Sequence, residues 1–297
     1  MTRTTARVSL GELALSVLRQ HAAAFAEYAC HAGAADQDPE QVHQTRVATR
    51  RLRAALRLFG DVLPPAAGGL NDELKWIAGQ LGPLRDLDVQ GLRLAETTTS
   101  LGLAEDLAPY AAWLQAQRLA ALGALGEALR SPRFADLSRI LAALHAWEPA
   151  LGGDRPAREE GPRRLRRAYR RLRASADSVH EHAPPAVLHR TRIRAKRLRY
   201  ATEFFEGVYG KRARRVVRRA GSLQDLLGDF HDGIVATQRV HEAIHTAGAG
   251  WPAETHLALG RVLQWEAQRE DQSRRRFPSA YGQVKDAWKR LRRGFTE

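Results

Sequence analysis

One cysteine, Cys30, stands in the 297 residues, so no disulfide can form within the chain, and a reducing compartment is the simplest reading. Long apolar runs are missing as well. No stretch approaches the roughly 18 consecutive apolar residues of a membrane-spanning helix, and the opening MTRTTARVSLGELAL lacks the apolar segment of a signal peptide. The expectation is a cytoplasmic protein without membrane association. β-Branched residues are sparse and no segment alternates in the manner of a strand. Ala, Leu, Arg and Glu dominate, which favours helix nearly everywhere. Lysine is scarce too, with five of the 47 basic residues; a genome rich in Arg codons accounts for that much.

Codon preference does not account for where the charge lies. The net formal charge is +14. Residues 1–146 hold 15 basic and 15 acidic side chains, and residues 147–297 hold 32 and 18. The whole excess therefore sits in the second half, the footprint of a polyanionic partner.

Gly/Pro/Asp clusters at 31–40, 60–69, 148–162, 182–185 and 247–252 read as connectors. Helices are expected near 8–30, 41–59, 69–99 and 104–146, the last broken around Pro132. In the second half they are expected near 158–182, 186–208, 210–246 and 252–294, the last broken around Pro278. Asp38-Pro39-Glu40 and Pro184-Pro185 supply start signals for the second helix of each half. Cys30 and the tryptophans Trp76, Trp113 and Trp147 are expected in the core.

An internal repeat organises these elements. VHQTRVATRRLRAALRLF (42–59) aligns with LHRTRIRAKRLRYATEFF (188–205), with eight of 18 positions identical at an offset of 146. The same offset, without a gap, aligns LGPLRDLDV (81–89) with LGDFHDGIV (227–235), pairing Gly82 with Gly228 and Asp86 with Asp232. A looser match joins SPRF (131–134) to RRFPSAY (275–281). The expected fold is all-α: two tandem four-helix-bundle repeats, 1–150 and 151–297, related by pseudo-two-fold symmetry with corresponding helices facing one another.

On a wheel at 100° per residue, His43, Arg46, Arg50, Arg53 and Arg57 share one strip about 80° wide. Ala48, Leu52, Ala55, Leu56 and Phe59 take the opposite, core side. The second helix repeats the strip with His189, Arg192, Lys196 and Arg199, but Glu203 replaces Arg57; Arg51 and Arg197 flank the strips. Like charges three and four residues apart repel by a few tenths of a kcal/mol per pair. A solvated face would mix acids among them, and these strips have almost none. Phosphate suits such a strip, because Arg binds it through charge-assisted hydrogen bonds worth about 1.5–3 kcal/mol each, and successive helical turns offer a contact about every 5 Å. Two facing strips would make a positive groove or pore, with the histidines as further donors.

These four segments together resemble the signatures of the CHAD family, the conserved histidine α-helical domain, from about residue 8 to 294. The resemblance implies a compact fold of two four-helix bundles, a basic central channel, and binding of inorganic polyphosphate without turnover. Carried onto this sequence, it implies ligand contacts from His43, Arg46, Arg50, Arg53, His189, Arg192, Lys196 and Arg199, joined by Lys75, Arg85 and His231. Arg57 extends the first strip, and Arg163, Arg167, Arg170 and Arg219 are added from neighbouring basic runs. Asp86 and Asp232 are read as holding nearby Arg side chains in place. Gly233-Ile234, where the first half has Leu87-Asp88, weakens any role needing both acids. No metal, cofactor or catalytic residue is expected.

Three other readings rank lower. His231-Asp232 invites a metal phosphohydrolase of the HD type, but the repeat puts Arg85 opposite His231, and arginine does not ligate a metal. A tunnel-type triphosphatase domain needs an E-x-E-x-K strand and a β-barrel, and neither is present. Nucleic-acid binding is the alternative partner, since backbone phosphates would satisfy the same strips. It is disfavoured because aromatics for base stacking are absent apart from Tyr200, and no helix-turn-helix or zinc-finger spacing appears. Recruitment to polyphosphate granules is compatible with the first reading.

Overall fold

The computed structural model describes residues 8–33 and 38–295. Among these the chain is all-α, with an isolated backbone bridge between Ser9 and Pro156. The helices are α1 (Leu10–Ala29), α2 (Pro39–Phe59), α3 (Leu70–Leu101), α4 (Ala108–Leu129), α5 (Pro132–Ala142), α6 (Ala157–Ala176), α7 (Pro185–Phe204), α8 (Glu206–Ala247) and α9 (Ala253–Arg293). No described helix is long and apolar enough to cross a membrane.

Local chemistry sets the boundaries. Ser9 and Glu12 form a reciprocal capping box at the start of α1. Asp38 accepts from the Glu40 amide at 2.9 Å with Pro39 in the first turn of α2, and Pro185 opens α7. Ser131 caps α5, so the chain breaks at Pro132 as expected. Gly210, at φ 56°, interrupts the backbone near the start of α8, a conformation glycine adopts without steric cost. Of the expected connector at 31–40, residues 34–37 lie outside the described residues.

Two expectations need correction. Helix α9 runs unbroken through Pro278. Phe277, Tyr281 and Val284 are buried around it, and Phe277 stacks on Tyr281 at 5.9 Å. That packing offsets the roughly 3 kcal/mol a proline costs inside a helix. Cys30 is exposed rather than buried: it falls just past the last turn of α1, and its Sγ donates to the Glu27 carbonyl. Trp76, Trp113 and Trp147 pack partly buried against the core.

The main core draws on both halves of the sequence. Helix α2 packs on α1, α3 and α7, and α7 packs on α6, α8 and α2. The repeat-equivalent rings Phe59 and Phe205 are fully buried and meet with centroids 5.8 Å apart. The starts of α1 and α6 are also tied, by Leu10 N–H to Arg155 O at 2.7 Å and Ala157 N–H to Val8 O at 3.0 Å. A smaller cluster joins α3 and α4 to α8 and α9 around Leu107, Tyr110, Val240 and Leu259. Burial of one face of α2 and of α7 in the common core leaves their basic strips on the other side.

Candidate anion-binding site between α2 and α7

Ala48, Leu52 and Ala55 bury one side of α2, and Ala195, Leu198 and Ala201 do the same for α7. His43, Arg46, Arg50 and Arg53, with His189, Arg192, Lys196 and Arg199, are left half-buried. Arg46 reaches α3, with Nη2 at 3.4 Å from Asp86 Oδ1. Its guanidinium lies over Gly82, where an added Cβ would fall 2.9 Å from Nη1. Arg192 stands in the same relation to α8, with Nε and Nη2 both 3.6 Å from the Cβ position at Gly228. The repeated glycines thus make room for the repeated arginines.

The common core holds the two strips close enough for their charges to act on one another. Burial, followed by Arg192, Arg50 and Arg46, lowers the Lys196 ammonium to about 7 against the opposing pull of Asp232. Arg50 of α2 also acts on Arg192 of α7. The His231 ring on α8 lies 4.6 Å from that of His189; burial, then Arg192, His189 and Lys196, lower it to about 4. His189 is lowered by burial and then by Arg192 and Lys196. His43 is lowered by burial and then by Arg85, with Glu40 opposing. Asp232 is raised by burial against Arg192, Arg93 and Lys196, and the field of Asp86 from the other half adds to the rise. Burial first, and the surrounding cations second, hold the lysine and histidines toward their neutral forms.

Donors are left over. The Nε atoms of Arg50, Arg53, Arg192 and Arg199 and Nδ1 of His189 are buried without a hydrogen-bond partner. A buried donor without a partner costs about 1–3 kcal/mol, so each of the four arginine Nε atoms marks a point on the strips where an acceptor would be favoured. Across the helix contact Arg51 Nη2 meets Glu203 Oε1 at 2.7 Å. In the repeat-equivalent pair Arg57 is exposed; desolvation of its guanidinium, then Arg53 and Arg197, lower it to about 10.

The CHAD domain family model matches residues 16–241. The chain belongs to the CHAD family. Two uncharacterized proteins of Mycobacterium tuberculosis, from strains CDC 1551 and H37Rv, are each 30% identical over 85% of this chain and 50% of their own length. The chain therefore spans about half the length of these relatives. The crystal structure of the CHAD domain from the plant Ricinus communis superposes with a TM-score of 0.75 at 29% identity, covering 94% of this chain and 92% of that one. PptA from Streptomyces chartreusis shares the fold, with a TM-score of 0.73 at 20% identity over 92% of this chain and 99% of that one.

Within this CHAD fold, the expected residues divide. His43, Arg46, Arg50, Arg85, His189, Arg192, Lys196 and His231 form one coupled set. Arg53 and Arg57 couple to each other, and Arg199 donates to Gln224 of α8 at 3.4 Å. Lys75 is exposed on α3, and Arg163, Arg167 and Arg170 are exposed on α6; no described contact joins them to the strips. Arg219 lines a different groove, between α8 and α9. Asp86 holds Arg46, whereas Asp232 has no described ion pair and acts on Arg192 through its field.

Sequence reasoning missed two features. Glu203 is the partner of Arg51, and the Arg57/Glu203 mismatch between the repeats was the available signal. Arg93 of α3 is buried against Glu266 of α9 and bonds Asp229 of α8 at 2.7 Å. A Cβ at Gly233 would fall 3.3 Å from Arg93 Nη2 and 3.2 Å from Glu266 Oε2. The departure at Gly233 therefore makes room for this pair.

Proposed function

We propose that the protein binds inorganic polyphosphate, without turning it over, in a groove between the facing strips of α2 and α7. The two sequence repeats, related by a pseudo-two-fold axis near Phe59 and Phe205, supply its two walls. The observation that carries this reading is the convergence of Arg46, Arg50, Arg192 and Lys196, with the buried Nε donors of Arg50 and Arg192 left without partners. A chain of phosphates offers acceptors at every link, so it relieves the repulsion between the strips and fills those donors together. Polyphosphate binding is the role associated with the CHAD family, and the cell location that follows is the cytoplasm, at polyphosphate granules.

The geometry supports a linear polyanion without bases over nucleic acid. Tyr200, the one aromatic beside the strips, is buried, and its ring is flanked by the guanidiniums of Arg51 and Arg199 at 5.9 and 6.0 Å. It offers no face for base stacking. The test is parallel titration with long-chain polyphosphate, single-stranded RNA and duplex DNA at about 150 mM salt, where backbone-only contacts weaken steeply. Polyphosphate binding that survives while both nucleic acids fall away is expected. Equal loss of all three would overturn the reading.

A further inference from the structure

Part of the second-half charge excess lies on the outer side of α8, away from the strips. Arg215, Arg218 and Arg219 of α8 and Arg290 of α9 wall a groove of about 380 Å³. An adjoining groove of about 460 Å³ shares Arg215 and Arg290 and adds Lys211, Arg212 and Arg293. The two make one track running from Lys211 to Arg219, about 12 Å along the helix. Around α8 these arginines lie roughly 100–160° from the face carrying Gly221, Gln224, Gly228 and His231, so the track is separate from the site between α2 and α7.

Two observations bear on this track. Some exposed arginines elsewhere have acids, as Arg133 has Glu73 at 2.7 Å and Arg139 has Asp136 at 2.8 Å. Among the described residues, Arg215, Arg218, Arg219 and Arg290 have none, and the acid lining the groove, Asp286, pairs with Lys289 at 3.4 Å. The second observation is the repeat. Positions 211–219 read KRARRVVRR, and the gapless equivalents 65–73 read PAAGGLNDE. Arg218 and Arg219 stand where the first repeat has Asp72 and Glu73, and there Glu73 is ion-paired to Arg133. The strips are matched between the repeats, whereas this track exists in one.

We infer that the α8/α9 groove is a second polyphosphate-binding track, which holds a chain too long for the strips or a second chain. The inference rests on the polyphosphate reading for its ligand, but its residues are independent of the strips. Arginine on both walls allows contacts to both sides of a linear anion, and the exposure of the track makes those contacts strongly salt-dependent.

The test uses the full chain with Arg215→Gln, Arg218→Gln and Arg290→Gln combined, beside the strip variant Arg50→Glu/Lys196→Glu. For long-chain polyphosphate, the groove variant is expected to bind about tenfold more weakly at low salt. Its slope of log affinity against log salt should fall by about 2, as three released counterions imply. Binding of a short chain that fits one strip, and the melting temperature, should not change. The strip variant should keep a weak long-chain affinity that the groove substitutions remove. Wild-type affinity and slope in the groove variant would overturn the inference. Tighter groove-dependent binding of single-stranded RNA than of polyphosphate would overturn the choice of ligand. Loss of all binding in the groove variant, with none in the strip variant, would instead sink the strip reading and leave the groove standing.

Discussion

Two pairs across the α2–α7 contact are built from equivalent positions and carry opposite electrostatics. In one, Arg51 and Glu203 form an ion pair at 2.7 Å, with side chains 26% and 25% exposed. In the other, the equivalents Arg197 and Arg57 bring two cations together, and Arg57 is lowered to about 10 by desolvation, Arg53 and Arg197. One difference, Arg57 against Glu203, turns a structural tie into a cationic pair. A duplicated scaffold can thus spend one copy of a position on stability and the other on attracting an anion.

The largest expected effect removes the shared middle. Arg50→Glu with Lys196→Glu should weaken polyphosphate binding by at least about 100-fold, since two charge-assisted contacts at 1.5–3 kcal/mol each are lost. Thermal unfolding should remain cooperative. The two equivalent pairs should then respond in opposite senses. Arg57→Glu recreates the Arg51–Glu203 arrangement beside Arg197, so it should raise stability by up to about 1 kcal/mol while lowering polyphosphate affinity about tenfold, a change of about 1.4 kcal/mol. Glu203→Gln should lower stability by about 1–2 kcal/mol and leave affinity within a few-fold. Urea unfolding and equilibrium titration of both variants read the contrast directly.

A third prediction concerns pH. Lys196 is lowered to about 7 from an ordinary 10.5, so between about pH 7 and 10.5 the unfolded chain binds more protons at this position than the folded one. Its contribution to the stability of the free protein therefore rises with pH across that window. His231, lowered to about 4 from 6.5, acts in the same sense between about pH 4 and 6.5. A bound polyanion raises these groups again, so binding takes up protons and affinity should fall as pH rises from about 6 to 9. Lys196→Arg should flatten the upper part of that profile, and an unchanged profile would remove Lys196 from the site.

The smallest effect separates the two repeated glycines. Gly82→Ala should displace Arg46, because the new Cβ would fall 2.9 Å from Nη1, whereas at Gly228 the 3.6 Å clearance from Arg192 is ordinary contact. Affinity should drop a few-fold in the first variant and hold in the second. Both should gain up to about 1 kcal/mol from helix propensity.

Much of this was legible in the sequence because it is periodic or duplicated. The core faces of α2 and α7, their strips and the pairing of Gly82 with Gly228 all follow from helical spacing and one offset of 146. What escaped had no local signature. Pro278 reads as a break, and only the packing of Phe277 and Tyr281 around it keeps α9 continuous. Arg93, Asp229 and Glu266 lie far apart in the chain, and the repeat puts Pro83 and Ala120 where the two acids stand, so nothing linked the three before the fold brought α3, α8 and α9 together. The basic runs on α6 and α8 looked alike as composition. The fold separates them, because which side of a helix meets the core depends on its neighbours.

The most direct measurement is amine-acylation footprinting of the full chain at about pH 7, with and without saturating long-chain polyphosphate. Its five lysines, Lys75, Lys196, Lys211, Lys285 and Lys289, sample the strips, the outer groove and the exposed surface. Lys196, with its ammonium lowered to about 7, should react in the free protein and be strongly protected by polyphosphate, while Lys75 and Lys285 label equally in both. Equal labelling of Lys196 with and without polyphosphate, under conditions where binding is saturated, would contradict a site between α2 and α7.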